Sequence, residues 1–186
     1  MGFSDVEVNP FGYVLQIDGN TYYTLSFNEG LTPFYTYGEY DESSGEHLAL
    51  FGYLDRQGRV AIAQQFSSAE PFSDGWAVVS LPNDTEERYG YIDTSGKMVL
   101  PAIYVEASAF VAGLGVVRTS DDEIIVIDKQ GNCIMEVHGY GTEIIVDENG
   151  QTLIKVTGYD GNDRFYNTSR ELVKMLVDGQ YLYPRP

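Results

Sequence analysis

A repeat constrains this chain more than any other feature. Phe51-Gly52-Tyr53-Leu54-Asp55-Arg56-Gln57-Gly58-Arg59-Val60 aligns with Tyr89-Gly90-Tyr91-Ile92-Asp93-Thr94-Ser95-Gly96-Lys97-Met98 at a step of 38 residues. The register holds without a gap through Phe66/Tyr104, Ala69/Ala107, Phe72/Phe110, Gly75/Gly113, Trp76/Leu114 and Val78/Val116. A recurring unit of this size cannot bury its apolar face alone and must stack on its neighbours, which confines the chain to repeat architectures. Weaker copies flank the pair. Phe27 to Leu31 matches Phe72 to Trp76 at a step of 45, and the apolar-Asp-x-x-Gly element returns in Ile125 to Gly131 and Ile144 to Gly150 at a step of 19. The halved step makes a single hairpin the smallest unit and two hairpins a full repeat.

The turn chemistry explains the recurring residues. Aspartate bonds to its own downstream backbone, and glycine takes the positive φ that a tight connection between short strands requires. Asp55/Gly58, Asp93/Gly96, Asp128/Gly131 and Asp147/Gly150 are therefore assigned to hairpin turns. A catalytic carboxylate is needed once, whereas a turn is needed in every unit. Asp18-Gly19 and Asp178-Gly179 mark further two-residue turns, the first between Gly12 to Ile17 and Tyr22 to Phe27, the second before Gln180 to Tyr183. Thr168 to Glu171 has the spacing of a capping box and Leu172, Val173 and Leu176 have helical spacing, so strand and short helix both stay open there.

The expected fold is all-β: antiparallel hairpin repeats stacked as an open curved or solenoid-like array, with a small propeller-like arrangement as the alternative. One β-repeat domain is expected over residues 1–186, with units near 12–50, 51–88, 89–123, 124–142, 143–163 and 164–186.

These residues resemble the bacterial WG-repeat family, also called KWG repeats. Its units run from an aromatic-Gly-Tyr-Ile-Asp start through a turn glycine and a short apolar strand to Phe-x-x-Gly-Leu-Ala-x-Val. The units Phe51 to Val79 and Tyr89 to Val117 match well. They depart from the pattern in carrying Phe51-Gly52 and Tyr89-Gly90 for Trp-Gly, in placing the only tryptophan, Trp76, at the Leu position, and in Ala63 where the next unit has Pro101. The resemblance covers Phe27 to Leu153 and implies a β-rich repeat module; it brings no catalytic residue to transfer.

Charge narrows the function classes. Acidic residues number 28 against 11 basic ones, for a net charge of −17. Affinity for a polyphosphate rests on basic side chains, so nucleic acid is excluded as a partner, and anionic membranes are repelled. A basic protein suits the charge. The longest weakly polar run, Ala107 to Val117, is shorter than the roughly 18 to 20 residues of a membrane helix, so no membrane insertion is expected. Met1 to Glu7 lacks the basic start and apolar stretch of a secretory signal, which leaves a soluble chain in the cytoplasm or, after processing, outside the cell. A lone Cys133 rules out an internal disulfide framework.

No chemistry-bearing constellation outweighs its structural explanation. Cys133 and His138 lie five residues apart, which on a strand sends them to opposite faces, and Cys133 reads as a small core residue. Asp121-Asp122-Glu123 and Asp160-Gly161-Asn162-Asp163 lack the alternating ligands of a calcium loop and read as solvated turns. No cofactor, metal site or catalytic residue is expected, and the chain is read as a non-enzyme.

Binding is expected elsewhere. The connection Thr32 to His47 carries about seven residues more than its counterpart in the next unit, and insertions in repeat proteins collect on one, often binding, face. It supplies Tyr35, Tyr37, Tyr40, Asp41 and Glu42, and Trp76 joins them as a binding candidate. Tyrosines give rigid contact area with a polar handle. The expected function is a protein-binding interaction module presenting acidic, tyrosine-rich turns. The alternative is a carbohydrate-binding or cell-surface module in which Tyr37, Tyr40 or Trp76 stacks on sugar rings.

Overall fold

The computed structural model describes residues 6–9, 12–17, 19–36, 40–41, 46–47, 49–82 and 86–184. Among them the chain is all-β and contains no helix. The first sheet takes β1 (Val6–Asn9), β2 (Gly12–Ile17), β3 (Asn20–Thr24) and β4 (Leu31–Tyr35). After a two-stranded ribbon of β5 (Tyr40–Asp41) and β6 (Glu46–His47), it is completed by β7 (Phe51–Asp55) and β8 (Val60–Phe66), in the order β1-β2-β3-β4-β7-β8. The second sheet joins β9 (Ser68–Ala69), β10 (Trp76–Ser80), β11 (Tyr89–Asp93) and β12 (Met98–Tyr104). The third joins β13 (Glu106–Ala107), β14 (Leu114–Arg118), β15 (Ile124–Asp128) and β16 (Cys133–Val137). The fourth joins β17 (Gly141–Val146), β18 (Thr152–Thr157), β19 (Asp163–Tyr166), β20 (Leu172–Val177) and β21 (Gln180–Leu182). The sheets are antiparallel, and none of the four closes into a barrel among the described residues.

Two turn geometries build the hairpins. In the first, residue i accepts from the N–H of i+3 and donates to the carbonyl of i+4, and i+3 has positive φ: a type I turn closed by a left-handed residue. It occurs at Asp55, Asp93, Thr119, Asp128, Asp147, Gly158 and Asn167. At five of these the left-handed position is glycine, but Asp122 (φ 64°) and Arg170 (φ 66°) take it in the other two. Where residue i is Asp or Asn its side chain holds the turn from outside: Asp55 Oδ1 accepts from the N–H groups of Gln57 (2.9 Å) and Arg59 (3.0 Å), and Asn167 Oδ1 does the same for Ser169 and Glu171. In the second geometry both central residues have positive φ, as in a type I′ turn, at Glu29-Gly30, Asp74-Gly75, Ala112-Gly113 and Asp178-Gly179.

One open alternative is decided here and one expectation is corrected. The segment after Asn167 is strand β20, and the helix alternative falls because Asn167 spends its side chain on a hairpin turn whose left-handed Arg170 breaks helical geometry. Cys133 is exposed rather than a core residue. It opens β16 beside a register shift at Val126/Ile127, and that bulge alters which face each position presents.

The glycine of the aromatic-Gly start is fixed by crowding. A Cβ on Gly52 would stand 2.5 Å from the Ile62 carbonyl oxygen, and one on Gly90 would stand 2.7 Å from the Leu100 oxygen and the Ala102 nitrogen. The partner strand crosses too close for any side chain.

The chain divides into two compact units, Met1–Ala102 and Ile103–Pro186. In the first, Tyr53, Phe66, Phe72, Val79 and Ile92 form one core, and Leu15, Phe34 and Leu54 form another on the opposite face of the first sheet. In the second, Leu114, Val126, Ile154 and Val156 are central. Each fully buried side chain of this kind contributes about 1.5–3 kcal/mol.

Candidate functional site

Strand β4 sends alternate side chains to opposite faces, so Phe34 enters the core while Tyr35 stands on the other side. Register then sets a row of rings: Tyr35 pairs with Tyr23 across β3 and with Phe51 across β7. Tyr23 and Tyr35 are stacked, with centroids 5.1 Å apart and planes at 18°; Tyr35 and Phe51 are 5.2 Å apart at 50°. This row lines a groove of about 380 Å³ that Tyr13, Leu25 and Pro33 extend. Ser68, Ala69 and Glu70, on and just after β9, supply the other wall.

The wall is held from both sides. The buried Tyr53 hydroxyl donates to the Glu70 carbonyl oxygen at 2.8 Å, and burial, with the Glu70 charge adding to it, pushes that phenol far above its ordinary range. Ser80, fully buried on β10, shares its Oγ with Ser67 (2.8 Å) and Ser68 (2.6 Å) and donates to Glu87 Oε1 at 3.0 Å. The Glu70 carboxylate itself is exposed and makes no ion pair among the described residues, and no lysine or arginine lines the groove. The arrangement can take a flat or cationic group against aromatic surface beside one free carboxylate.

Of the expected binding residues whose side chains are described, Tyr35 and Trp76, Tyr35 lies in this groove. Tyr37 and Glu42 fall outside the described residues. Tyr40 and Asp41 sit on β5, where only the backbone is described. Trp76 opens β10 and packs against Tyr91 at 6.1 Å. Tyr13, Tyr23, Phe51 and Glu70 were missed by reasoning from sequence. The signal for Tyr23 and Phe51 was available in strand alternation, but choosing the face required the register.

The turn aspartates are engaged by their own backbone. The Arg59 N–H and then its guanidinium hold the Asp55 carboxyl below its ordinary range; the Ser95 hydroxyl does so for Asp93, the Asn132 side chain for Asp128 and the Gln151 N–H for Asp147. Asp121 to Glu123 fall in the Thr119 turn, and Asp160 to Asp163 in and after the Gly158 turn, where the Arg164 guanidinium forks onto Asp160 at 2.6 and 2.9 Å. Among the described residues no group of three His, Cys, Asp or Glu side chains could hold a metal ion, and no helix is long and apolar enough to cross a membrane.

Comparison with known proteins places the repeats. Residues 51–83 and 89–121, about a third of the chain, each match the model of the WG containing repeat, as the residue-level resemblance implied. No curated protein matches the sequence. Among solved structures, "Crystal structure of HIRA(644-1017)" is similar over 81% of this chain at 13% identity and a TM-score of 0.46; this chain spans 54% of that one. A protein of unknown function from Bacteroides caccae is similar over 97% of this chain and 75% of its own, at 14% identity and a TM-score of 0.41.

Proposed function

We propose that this β-repeat scaffold is a non-enzymatic interaction module that binds a basic protein segment in the Tyr35 groove. The observation that carries the reading is the composition of the groove: an aromatic row beside the Glu70 carboxylate, which has no ion pair and no cationic side chain in the groove lining among the described residues, on a chain of net charge −17. A lysine or arginine of a partner would reach Glu70 while its aliphatic stem covers Tyr35 and Phe51. The acidic turns play a lesser part than their number suggests, because their carboxylates already accept from their own backbone.

The stacked Tyr23–Tyr35 pair, with Phe51 tilted beside it, supports a second reading, a platform for the flat face of a neutral sugar. Ionic strength separates the two, since charge-driven binding weakens steeply with salt and stacking on neutral rings does not. The test is calorimetric titration with a lysine- and arginine-rich peptide library and with neutral oligosaccharides, at about 20 mM and about 500 mM salt. A basic peptide that binds at low salt, weakens at high salt, and loses about tenfold in Tyr35→Ala and in Glu70→Gln supports the basic partner. Salt-independent binding of a sugar that Tyr35→Ala abolishes supports the platform instead.

A further inference from the structure

The unit Ile103–Pro186 carries an aromatic feature that its core does not use. Tyr140, between β16 and β17, is 72% exposed, and Tyr159, in the turn between β18 and β19, is 69% exposed. The two rings meet edge to face, with centroids 5.0 Å apart and planes at 82°, and form a corner open to solvent.

Both tyrosines are placed by a glycine. Gly139 precedes Tyr140 and lies so close to the Thr157 carbonyl oxygen that a Cβ would collide with it; Gly158 precedes Tyr159 and lies as close to the Arg164 guanidinium. The Tyr140 N–H donates to the Thr157 oxygen at 2.8 Å. Backbone contact at Gly139 and the Arg164–Asp160 pair at Gly158 thus set two large rings in water, an arrangement that burial does not reward and that pre-organises a surface.

Unlike the Tyr35 groove, each flanking cleft holds an arginine among its acids: Glu106 and Arg118 balance on one side, and Glu136 and Asp160 face Arg164 on the other. Beside Tyr159 lies a cleft of about 380 Å³, within the roughly 300–1,000 Å³ range of small-ligand sites, into which Glu136, His138, Asp160 and Arg164 contribute. Asp160 and Arg164 neutralise each other through their two-pronged contact. On the side of Tyr140, Arg118 Nε lies 3.2 Å from Glu106 and its Nη1 lies 2.9 Å from Asp122. Such a surface offers fixed donors and acceptors beside an aromatic face with little net charge. It matches a ligand with an apolar C–H face and a rim of hydroxyls.

We propose that the Tyr140–Tyr159 corner binds a neutral oligosaccharide, with one pyranose ring stacked on an exposed tyrosine face and its hydroxyls bonded to Asp160, Arg164 and His138. This site is independent of the Tyr35 groove and of the reading given to that groove. The probes are the hexaoses of cellulose, xylan, mannan and amylose together with a printed array of neutral glycans, read by saturation-transfer NMR and calorimetry on the whole chain. The expected result is saturable binding of at least one neutral glycan that changes less than about twofold between low and high salt. It weakens about tenfold in Tyr140→Ala and in Tyr159→Ala, stays near wild type in Tyr159→Phe, and is untouched by Tyr35→Ala. Both tyrosines are exposed, so the alanine variants keep the fold. The proposal is overturned if no neutral glycan binds, if binding survives the double alanine variant, if Tyr35→Ala abolishes it, or if only cationic peptides bind this corner and leave it as salt rises.

Discussion

The two segments that match the WG repeat share one backbone and differ in how they fasten it. Residues 68 and 80 of the first face each other across β9 and β10, and residues 106 and 118 of the second occupy the same places across β13 and β14. In the first the pair is Ser68 and Ser80, joined by hydroxyls with Ser67 and Glu87. In the second it is Glu106 and Arg118, an ion pair at 3.2 Å that Asp122 extends. Neither the tryptophan at 76 against the leucine at 114 nor the alanine at 77 against the glycine at 115 disturbs the strand order. By contrast Gly52 and Gly90 stand at equivalent places and meet the partner backbone in the same way. Side-chain fastenings can be exchanged as pairs, while backbone contacts cannot be exchanged at all.

Substitution at Gly90 tests the fixed half of that contrast and should have the largest effect. Gly90→Ala drives a Cβ into the backbone of residues 100–102 and is expected to cost about 3 kcal/mol in urea unfolding. Gly113→Ala meets nothing within 4 Å and has only its φ of +82° to strain, so it should cost about 1 kcal/mol. Equal losses at the two sites would remove crowding as the reason for the aromatic-Gly pair.

The exchangeable half is tested by breaking each fastening. Ser80→Ala leaves Ser67, Ser68 and Glu87 without their shared buried hydroxyl and is expected to lower stability by about 1.5 kcal/mol, independently of salt. Glu106→Gln should have a smaller effect that fades as salt is raised, because the Glu106 carboxylate is open to solvent. A salt-sensitive Ser80→Ala together with a salt-insensitive Glu106→Gln would reverse the assignment.

The turns give the subtlest test. Asp55, Asp93, Asp128 and Asp147 have carboxyls held below their ordinary range, so the stability they contribute is present above the unfolded aspartate value of about 4 and is lost as pH falls through the folded values. Asn167 does the same backbone work with no charge to titrate. Changing all four aspartates to asparagine should therefore keep the turns and reduce the loss of urea midpoint between pH 6 and pH 3. An unchanged acid loss would mean that other carboxylates control it.

The repeat and its turns were legible because their causes are local. An Asp followed three positions later by a Gly states both the bonding partner and the positive φ, and the four such pairs are turns in the structure. The turns at Thr119 and Asn167 were harder to see, because Asp122 and Arg170 adopt the left-handed backbone without being glycine. The strand β20 stayed open against a short helix for the same reason: residues 168–171 carry the letters of a helix start while their backbone closes a hairpin. Alternation along β4 was readable, but the face of Tyr35 was not. The groove draws Tyr13, Tyr23, Tyr35, Phe51 and Glu70 from separate segments, and only the strand registers bring them together. The Tyr140–Tyr159 corner likewise depends on two glycines whose close contacts are with residues 18 and six positions away.

Strand β8 ends at Phe66 and β9 begins at Ser68, so one extended run, interrupted only at Ser67, finishes the first sheet and starts the second. This has a consequence for the order of events on the ribosome. Once residues through 66 have emerged, the first sheet has all its strands, and the next residues out, Ser68 and Ala69, already form the edge on which Val79 and Ser80 will pair. No sheet in this unit waits for a distant segment still inside the exit tunnel. Assembly can therefore run from the N-terminal end at the pace of synthesis, with an unpaired edge exposed only as long as it takes to translate the next hairpin.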